Sequence, residues 1–306
     1  MKNVAILGAK DYGEKNNAVD LAKSFSESSS AINFQAIYWE DLLFDISKDS
    51  QSVVDTVSGQ DLSSFDLVFA LNWYRNDKDN LYREAALTLA LYLSNKNVKF
   101  WNEEILKQRS SSKLSAMMQL ALLNLDIPKT KFSISKEILK SGNDLGFPLI
   151  LKAAQASRGR DNYLVKDLDE LSAHLDKPAE SNKYIVQEYI KNDADLRVIC
   201  ANMEPRLVLK RSRVSEESHL NNTSKGADAE LIELNTLNAD IIQACRIICR
   251  EMGRNIAGID LMFAKDSDRY VFLEVNSIPQ LSSGVFLDEK ANSLALAIEQ
   301  ALEGEK

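Results

Sequence analysis

Histidine is nearly missing from this chain, with only His174 and His219 among 306 residues. That is too few for a histidine-rich zinc centre, and neither stands in a nucleophile-elbow or triad pattern, which argues against hydrolases of those kinds. Cysteine is almost as scarce: Cys200, Cys245 and Cys249 make an odd number in a long chain, which favours reduced thiols over a disulfide framework. Cys245 and Cys249 lie one helical turn apart beside Ile241, Ile242 and Ile248, the pattern of a buried apolar face rather than a metal site. No apolar run reaches the roughly 18 residues that span a bilayer. The opening Val4–Leu7 is followed by Lys10 and Asp11 rather than by a signal-peptide cleavage region, so a cytoplasmic protein is expected. Positive charge is also in deficit. A net charge of −8 argues against nucleic acid or a membrane surface as the partner and leaves small molecules or peptides, with a homo-oligomer compatible with all of this.

What is present reads as an ordinary globular chain of about two domains. Short apolar strands at Asn3–Leu7, Phe34–Trp39 and Leu67–Leu71 alternate with helical segments such as Tyr82–Leu93, the rhythm of a parallel α/β sheet. The first strand runs into Gly8-Ala9-Lys10-Asp11-Tyr12-Gly13-Glu14-Lys15, a near miss for a phosphate-binding P-loop with Glu14 where the lysine belongs. Gly8 and Gly13 are therefore turn glycines or substrate contacts. Ser28–Ser30 reads as a loop. A polar run from Gln108 to Ser112 precedes an amphipathic helix over Lys113–Leu125, with a serine cap and a stop at Pro128. Strands then follow at Pro148–Lys152, Tyr163–Lys166, Tyr184–Ile190, Leu196–Ala201 and Arg206–Arg211, with a helix over Asp167–Leu175. Runs of strands with few helices indicate antiparallel α+β layers.

The sharpest signal is a hairpin whose strands are Ile256–Ala264 and Arg269–Asn276, joined by the turn Lys265–Asp268. If Ala264 pairs with Tyr270, Asp260 lies directly opposite Glu274. Facing carboxylates destabilise a sheet by up to roughly 1 kcal/mol, so a cation between them is expected. Asn276 shares the face of Glu274, and Val275 points into the opposite layer. Two carboxylates and an amide form an all-oxygen set suited to a hard cation that also takes phosphate oxygens. A solvated hairpin face is the plain alternative.

Upstream, Lys152 ends the strand Phe147–Lys152 and is followed by Ala156-Ser157-Arg158-Gly159-Arg160, a loop that can cradle phosphates beside a lysine charge. The apolar strand Tyr184–Ile190 is interrupted by Gln187-Glu188, where backbone groups could meet an adenine edge. These segments form an ordered series: Ser112-Lys113-Leu114, Leu151-Lys152, the loop at Gly159, Val186–Ile190, Asp195-Leu196-Arg197, Leu209-Lys210-Arg211, Gly258-Ile259-Asp260 and Leu273-Glu274-Val275-Asn276. In that order and spacing the chain resembles the ATP-grasp superfamily, and within it the RimK-like carboxylate-amine ligases, over about residues 109 to 285.

The resemblance implies an N-terminal α/β domain over 1–108, a central ATP-grasp subdomain over 109–186 and a C-terminal one over 187–306. It implies that Lys113, Lys152 and the loop at Ser157, Arg158 and Gly159 contact ATP phosphates, and that Gln187, Glu188, Tyr189 and Ile190 form the adenine hinge with Asp195 nearby. It further implies Mg²⁺, for which Mn²⁺ would also serve, on Asp260, Glu274 and Asn276, and a catalytic group of Arg197, Lys210 and Arg211. Asn221–Gly226 resembles the substrate loop of the RimK-like group, which makes Asn222 and Lys225 substrate contacts. Leu220 departs from the arginine common there, Pro279-Gln280 departs from proline-glycine, and the phosphate loop carries only Gly159. The expected reaction is ATP-dependent joining of a small-molecule or peptide carboxylate to an amine through an acyl phosphate. The alternatives are a ligase that forms lactams or esters within a precursor peptide, and a nucleotide-binding regulator without turnover.

Overall fold

The structure, a computed structural model, describes residues 1–10, 17–71, 81–102, 104, 106, 112–141, 144–154, 162–177, 184–212, 228–265, 267, 269–277 and 279–304. The chain begins with β1 (Lys2–Gly8), α1 (Ala18–Ser28), β2 (Ile32–Tyr38), β3 (Leu42–Ile46), β4 (Gln51–Asp55), β5 (Leu67–Ala70), α2 (Leu81–Asn95) and β6 (Lys99–Trp101). Four of these strands form a parallel sheet in the order β2-β1-β5-β6. Its central strands are apolar on both sides because helices cover both faces. Val4 and Ile6 meet Leu21 and Phe25 of α1 on one face, while Ala5 and Leu7 meet Leu89 and Leu93 of α2 on the other. Gly8 is required by close approach, since a Cβ there would lie 2.9 Å from that of Ala18. Ser28 closes α1 and Ser29 caps it, so the serine cluster expected to be a loop begins inside a helix. The β3–β4 hairpin was not expected from the sequence.

The next unit contains α3 (Lys113–Leu122), β7 (Thr130–Phe132), α4 (Lys136–Ser141), β8 (Leu149–Ala153), β9 (Asn162–Val165), α5 (Leu168–Leu175) and β10 (Tyr184–Glu188). Its strands run antiparallel in the order β7-β10-β8-β9. Ser112 caps α3 by accepting from the Ser115 N–H, as the sequence predicts, but the helix ends at Leu122, and Asn124 turns at φ 57° well before Pro128. Leu149, Leu151, Tyr184 and Val186 bury one face beneath Leu139, Leu171 and Leu175. Strand alternation puts Ile150, Lys152, Ile185 and Gln187 on the other face. The seam expected at 186/187 falls inside β10, and the seam near 108 lies outside the described residues.

The last unit comprises β11 (Ala194–Ala201), β12 (Glu204–Ser212), β13 (Asp228–Ile232), α6 (Ala239–Met252), β14 (Ile256–Phe263), β15 (Tyr270–Asn276) and α7 (Leu287–Glu303). Its antiparallel sheet runs β13-β12-β11-β14-β15. One face, with Val198, Val208, Ile259 and Leu261, lies under Cys245, Ile248 and Cys249 of α6, so the two helical cysteines are core, as their spacing predicts. On the opposite face Ile199, Leu209 and Ile256 join Leu294, Ala295 and Ile298 of α7 and Val4 and Ile6 of β1 in a single core. Helix α7 is thus the packed seam between the first and last units. Burial of side chains of this size stabilises by about 1.5–3 kcal/mol each. Beyond Ile199 and Leu209, this face becomes charged.

Candidate active site

The charged end of the five-stranded sheet is set by register. Arg197 on β11 pairs with Asp260 on β14, Asp260 with Glu274 on β15, and Gly258 with Asn276, while Asp195 pairs with Arg211 on β12. Asp260 does face Glu274, but not through the expected closing pair. Phe263, rather than Ala264, lies opposite Tyr270, and a bulge at Leu273 takes up the extra residue. Bulges of this kind re-aim side chains near functional sites.

Asp260 is only 6% exposed. Arg197 clasps it with two bonds of 2.7 Å, from Nε to Oδ1 and from Nη2 to Oδ2, and Arg211 Nη2 lies 3.1 Å from Oδ2. Arg211 Nε in turn donates to Asp195 Oδ1 at 2.5 Å. Burial pushes the Asp260 pKa up, but the two guanidiniums outweigh it and hold the carboxyl below the usual range. Asp195 moves the other way, to about 6, because burial dominates there over Arg211. Two guanidiniums, one of them shared with Asp195, thus already offset the Asp260 charge beside Glu274. Among the described residues, no hydrogen bond or ion pair engages the Glu274 carboxylate or the Asn276 amide, both half-buried on the same face.

Across the cleft, Lys152 lies on the face of β8 turned away from that sheet's helices. Its pKa is lowered to about 8, chiefly by burial, with Glu274 opposing the shift and Lys113 adding to it. Lys113, in the first turn of α3, donates to the Ala153 carbonyl at 3.3 Å, which places both lysines at one end of β8. Gln187 is buried and its amide donates to Thr130 Oγ1 at 2.9 Å. The Glu188 N–H bonds the Lys129 carbonyl at 3.0 Å, and its carboxylate lies 3.5 Å from Arg269. After Tyr189, Ile190 packs with Ala264 and Val271, against which Met262 and Leu273 also lean. Met262 follows Asp260 by two residues on its strand, a spacing that could have marked it as an apolar wall beside the charged site.

Lys210 is not brought to this group. It neighbours Arg211 on β12 and therefore points to the opposite face, where Nζ bonds Glu230 Oε1 at 2.6 Å. Ser157, Arg158, Gly159, Asn222 and Lys225 lie outside the described residues.

The sequence also gave no warning of Lys290, in the first turn of α7, which is 3% exposed. Its amine donates to the carbonyls of Gln280 at 3.0 Å and Ser283 at 3.2 Å, and burial, with Arg197 nearby, lowers its pKa to about 8. It helps line a small pocket with Arg197, Arg211, Leu209, Pro279 and Gln280. Pro279 lies so close over Gly258 that a Cβ there would sit 2.4 Å from the proline ring. Gln280, at φ 27° where the resemblance leads one to expect glycine, accepts from Arg197 Nη1 at 3.4 Å.

As a cation site the donor chemistry is mixed. Among the described residues there is no group of three histidine, cysteine or carboxylate side chains placed to hold a metal. Glu274 and Asn276 offer unengaged oxygens of the right hardness, with Asp260 beside them, and phosphate oxygens would have to complete the shell.

Residues 110–299 match the family model of the RimK-like ATP-grasp domain. Among curated proteins, the chain is 26% identical over 246 residues to the alpha-aminoadipate–LysW ligase LysX of Sulfurisphaera tokodaii, covering 78% of this chain and 81% of that one. It is 27% identical over 185 residues to a probable alpha-L-glutamate ligase of Alkalilimnicola ehrlichii, covering 59% and 60% of the two chains. Among solved structures it resembles the ATP-grasp ligase PsnB complexed with minimal precursor, with a TM-score of 0.71 at 14% identity over 98% of this chain and 99% of that one. D-alanyl-alanine synthetase A of Vibrio cholerae gives a TM-score of 0.64 at 13% identity over 99% and 98%. With more than half of its length matched by the family model, the chain belongs to the RimK-like ATP-grasp family and is a ligase that uses ATP.

Proposed function

We propose that the protein joins a carboxylate to an amine through an acyl phosphate, releasing ADP and phosphate. The observation that carries this reading is the buried Arg197–Asp260–Arg211–Asp195 network of the five-stranded sheet, with Glu274 and Asn276 on the same face unengaged among the described residues. ATP lies between the four-stranded and five-stranded sheets, whose seam we place just after β10. The backbone of Gln187–Ile190 meets the adenine, with Met262 and Leu273 as apolar walls, and Lys113, Lys152 and the Ser157–Gly159 loop hold the phosphates. Glu274 and Asn276, with a share of Asp260, are the residues that would hold Mg²⁺ or Mn²⁺. Bound there, the cation would neutralise phosphate charge.

Arg197 and Arg211 are fixed in direction by their carboxylate partners, so they are preorganised to stabilise charge as the terminal phosphoryl group passes to the substrate carboxylate. The amine then attacks the acyl phosphate and phosphate leaves. The pocket at Pro279, Gln280 and Lys290, with Asn222 and Lys225, receives the substrates. Lys210, committed to Glu230 on the far face, has no place in this scheme. Three buried free thiols suit a reducing, cytoplasmic setting.

A second reading, modification of a precursor peptide, is favoured by the full-length likeness to PsnB complexed with its minimal precursor. Panels of amino acids, dipeptides, small acids and short peptides, each with and without amines, should reveal phosphate release that depends on one acid. ATP binding without acid-dependent release across all panels would defeat the ligase assignment for this site.

A further inference from the structure

Asn276 occupies the last rung of the β14–β15 ladder, opposite Gly258, where the sheet alone constrains it least. The residues on either side of it are instead held from outside the sheet. Arg254 Nη1 donates to the Val275 carbonyl at 2.5 Å, Ser277 Oγ donates to Glu104 Oε1 at 2.5 Å, and Asn102 Nδ2 donates to the Ser277 carbonyl at 3.0 Å. Glu104 and Arg254 form an ion pair at 3.1 Å with side chains only 1% and 2% exposed, though too poorly aligned for a hydrogen bond. Asn102, fully buried and at φ 68°, also takes the Asn255 side chain on its N–H and the Ile256 N–H on its own side chain, both at 2.9 Å. The chain leaving the N-terminal sheet is thus bound to the start of β14 and the end of β15 at once.

A buried ion pair is a weak source of stability, since apolar replacements of similar volume are often neutral or stabilising. What this cluster does supply is direction, because every bond to β15 falls on a residue adjoining Asn276. We propose that Asn102, Glu104 and Arg254 are positioning residues that fix Asn276 against Glu274, so that the N-terminal domain, through the segment following β6, sets how the site takes a metal–nucleotide complex. This rests on Asn276 belonging to the cation-binding set.

The test measures ATP affinity by calorimetry in excess Mg²⁺ and again in EDTA, for the full chain, the double variant Glu104→Leu/Arg254→Met, Ser277→Ala and Asn276→Ala. Removing both charges together avoids stranding either one, and Ser277→Ala breaks only the hydrogen bond to Glu104, which keeps the test usable if the double variant does not fold. Loss of an outer partner of a metal ligand lowers metal affinity by roughly 10–100-fold. The double variant should therefore lose at least about tenfold of the Mg²⁺-dependent gain in ATP affinity, keep its affinity in EDTA, and show faster hydrogen exchange at Asn276 and Ser277, with Ser277→Ala moving in the same direction. Loss of the Mg²⁺ gain in Asn276→Ala alone, with the double variant and Ser277→Ala behaving as the parent, would overturn the positioning role while leaving the cation site intact. An unchanged gain in all variants would overturn both. Lower thermal stability with an intact Mg²⁺ gain would make the cluster structural only and sink the proposal.

Discussion

Asp260 and Glu274 face one another across two strands yet should respond in opposite ways to the same kind of substitution. Among the described residues no hydrogen bond or ion pair engages the Glu274 carboxylate, so Glu274→Gln should change unfolding free energy by no more than about 0.5 kcal/mol while abolishing turnover. Asp260→Asn would leave Arg197 over a neutral amide, while Arg211 keeps Asp195, and breaking such a buried pair costs about 3–5 kcal/mol. Urea unfolding of the two variants separates them, and equal stabilities would contradict the arginine-clasped carboxylate. Lys152→Met should weaken ATP by a factor of roughly 10 to 150, the loss of one charge-assisted contact of about 1.5–3 kcal/mol, and adenosine much less. A change below twofold would make Lys152 a bystander. At this scale, the sequence marks Glu274 and Asn276 because two-residue spacing alone puts them on one face. It does not reveal that Asp260 is clasped by Arg197, 63 residues away, because that contact depends on strand pairing. Lys210 was grouped with Arg211 from the resemblance, although neighbours on a strand point to opposite sides and its amine goes to Glu230.

Among the elements, the β14–β15 hairpin was legible because its strands are apolar-rich runs of strand length and its turn is polar, whereas the bulge at Leu273 leaves no mark in composition and shifts the closing pair by one residue. Helix α7 went unread for a related reason: Phe286 stands at its start in a left-handed conformation, φ 58°, without a side-chain cap, so no start signal announces it. The β3–β4 hairpin escaped because Leu43 and Ile46 are exposed, which blurs the alternation of a half-buried strand. Two predictions belong here. Gly258→Ala would push Pro279 off the strand, so the KM for the acid should rise while ATP affinity holds, and an unchanged KM would release Pro279 from the substrate pocket. Lys290 titrates near pH 8 in the folded chain but near 10.5 when unfolded, so the unfolded chain binds more protons between those values. The stability contributed by Lys290 must then rise as pH climbs through that window. The stability of the parent chain relative to Lys290→Met, by urea unfolding, should be greater at pH 10 than at pH 7, and a constant difference would show that burial does not shift the amine.

Across the whole molecule, α7 and the cluster around Asn102 and Glu104 bind the N-terminal sheet to the same five-stranded sheet that carries Asp260 and Glu274. The division into an α/β domain and antiparallel layers was readable from the succession of elements. The shared core of β1, α1, α7 and β11 was not, because each strand or helix buries its apolar side against partners that the sequence does not name. The central proposal at this scale is that a phosphoryl group moves from ATP to a carboxylate, directed by Arg197 and Arg211, before the amine arrives. The most direct measurement uses the activating acid labelled with ¹⁸O in its carboxylate and follows the products by ³¹P NMR and mass spectrometry. One labelled oxygen should appear in inorganic phosphate, in step with ADP and amide. Label carried instead into AMP would mean adenylation, and label-free phosphate beside the amide would mean that no acyl phosphate forms.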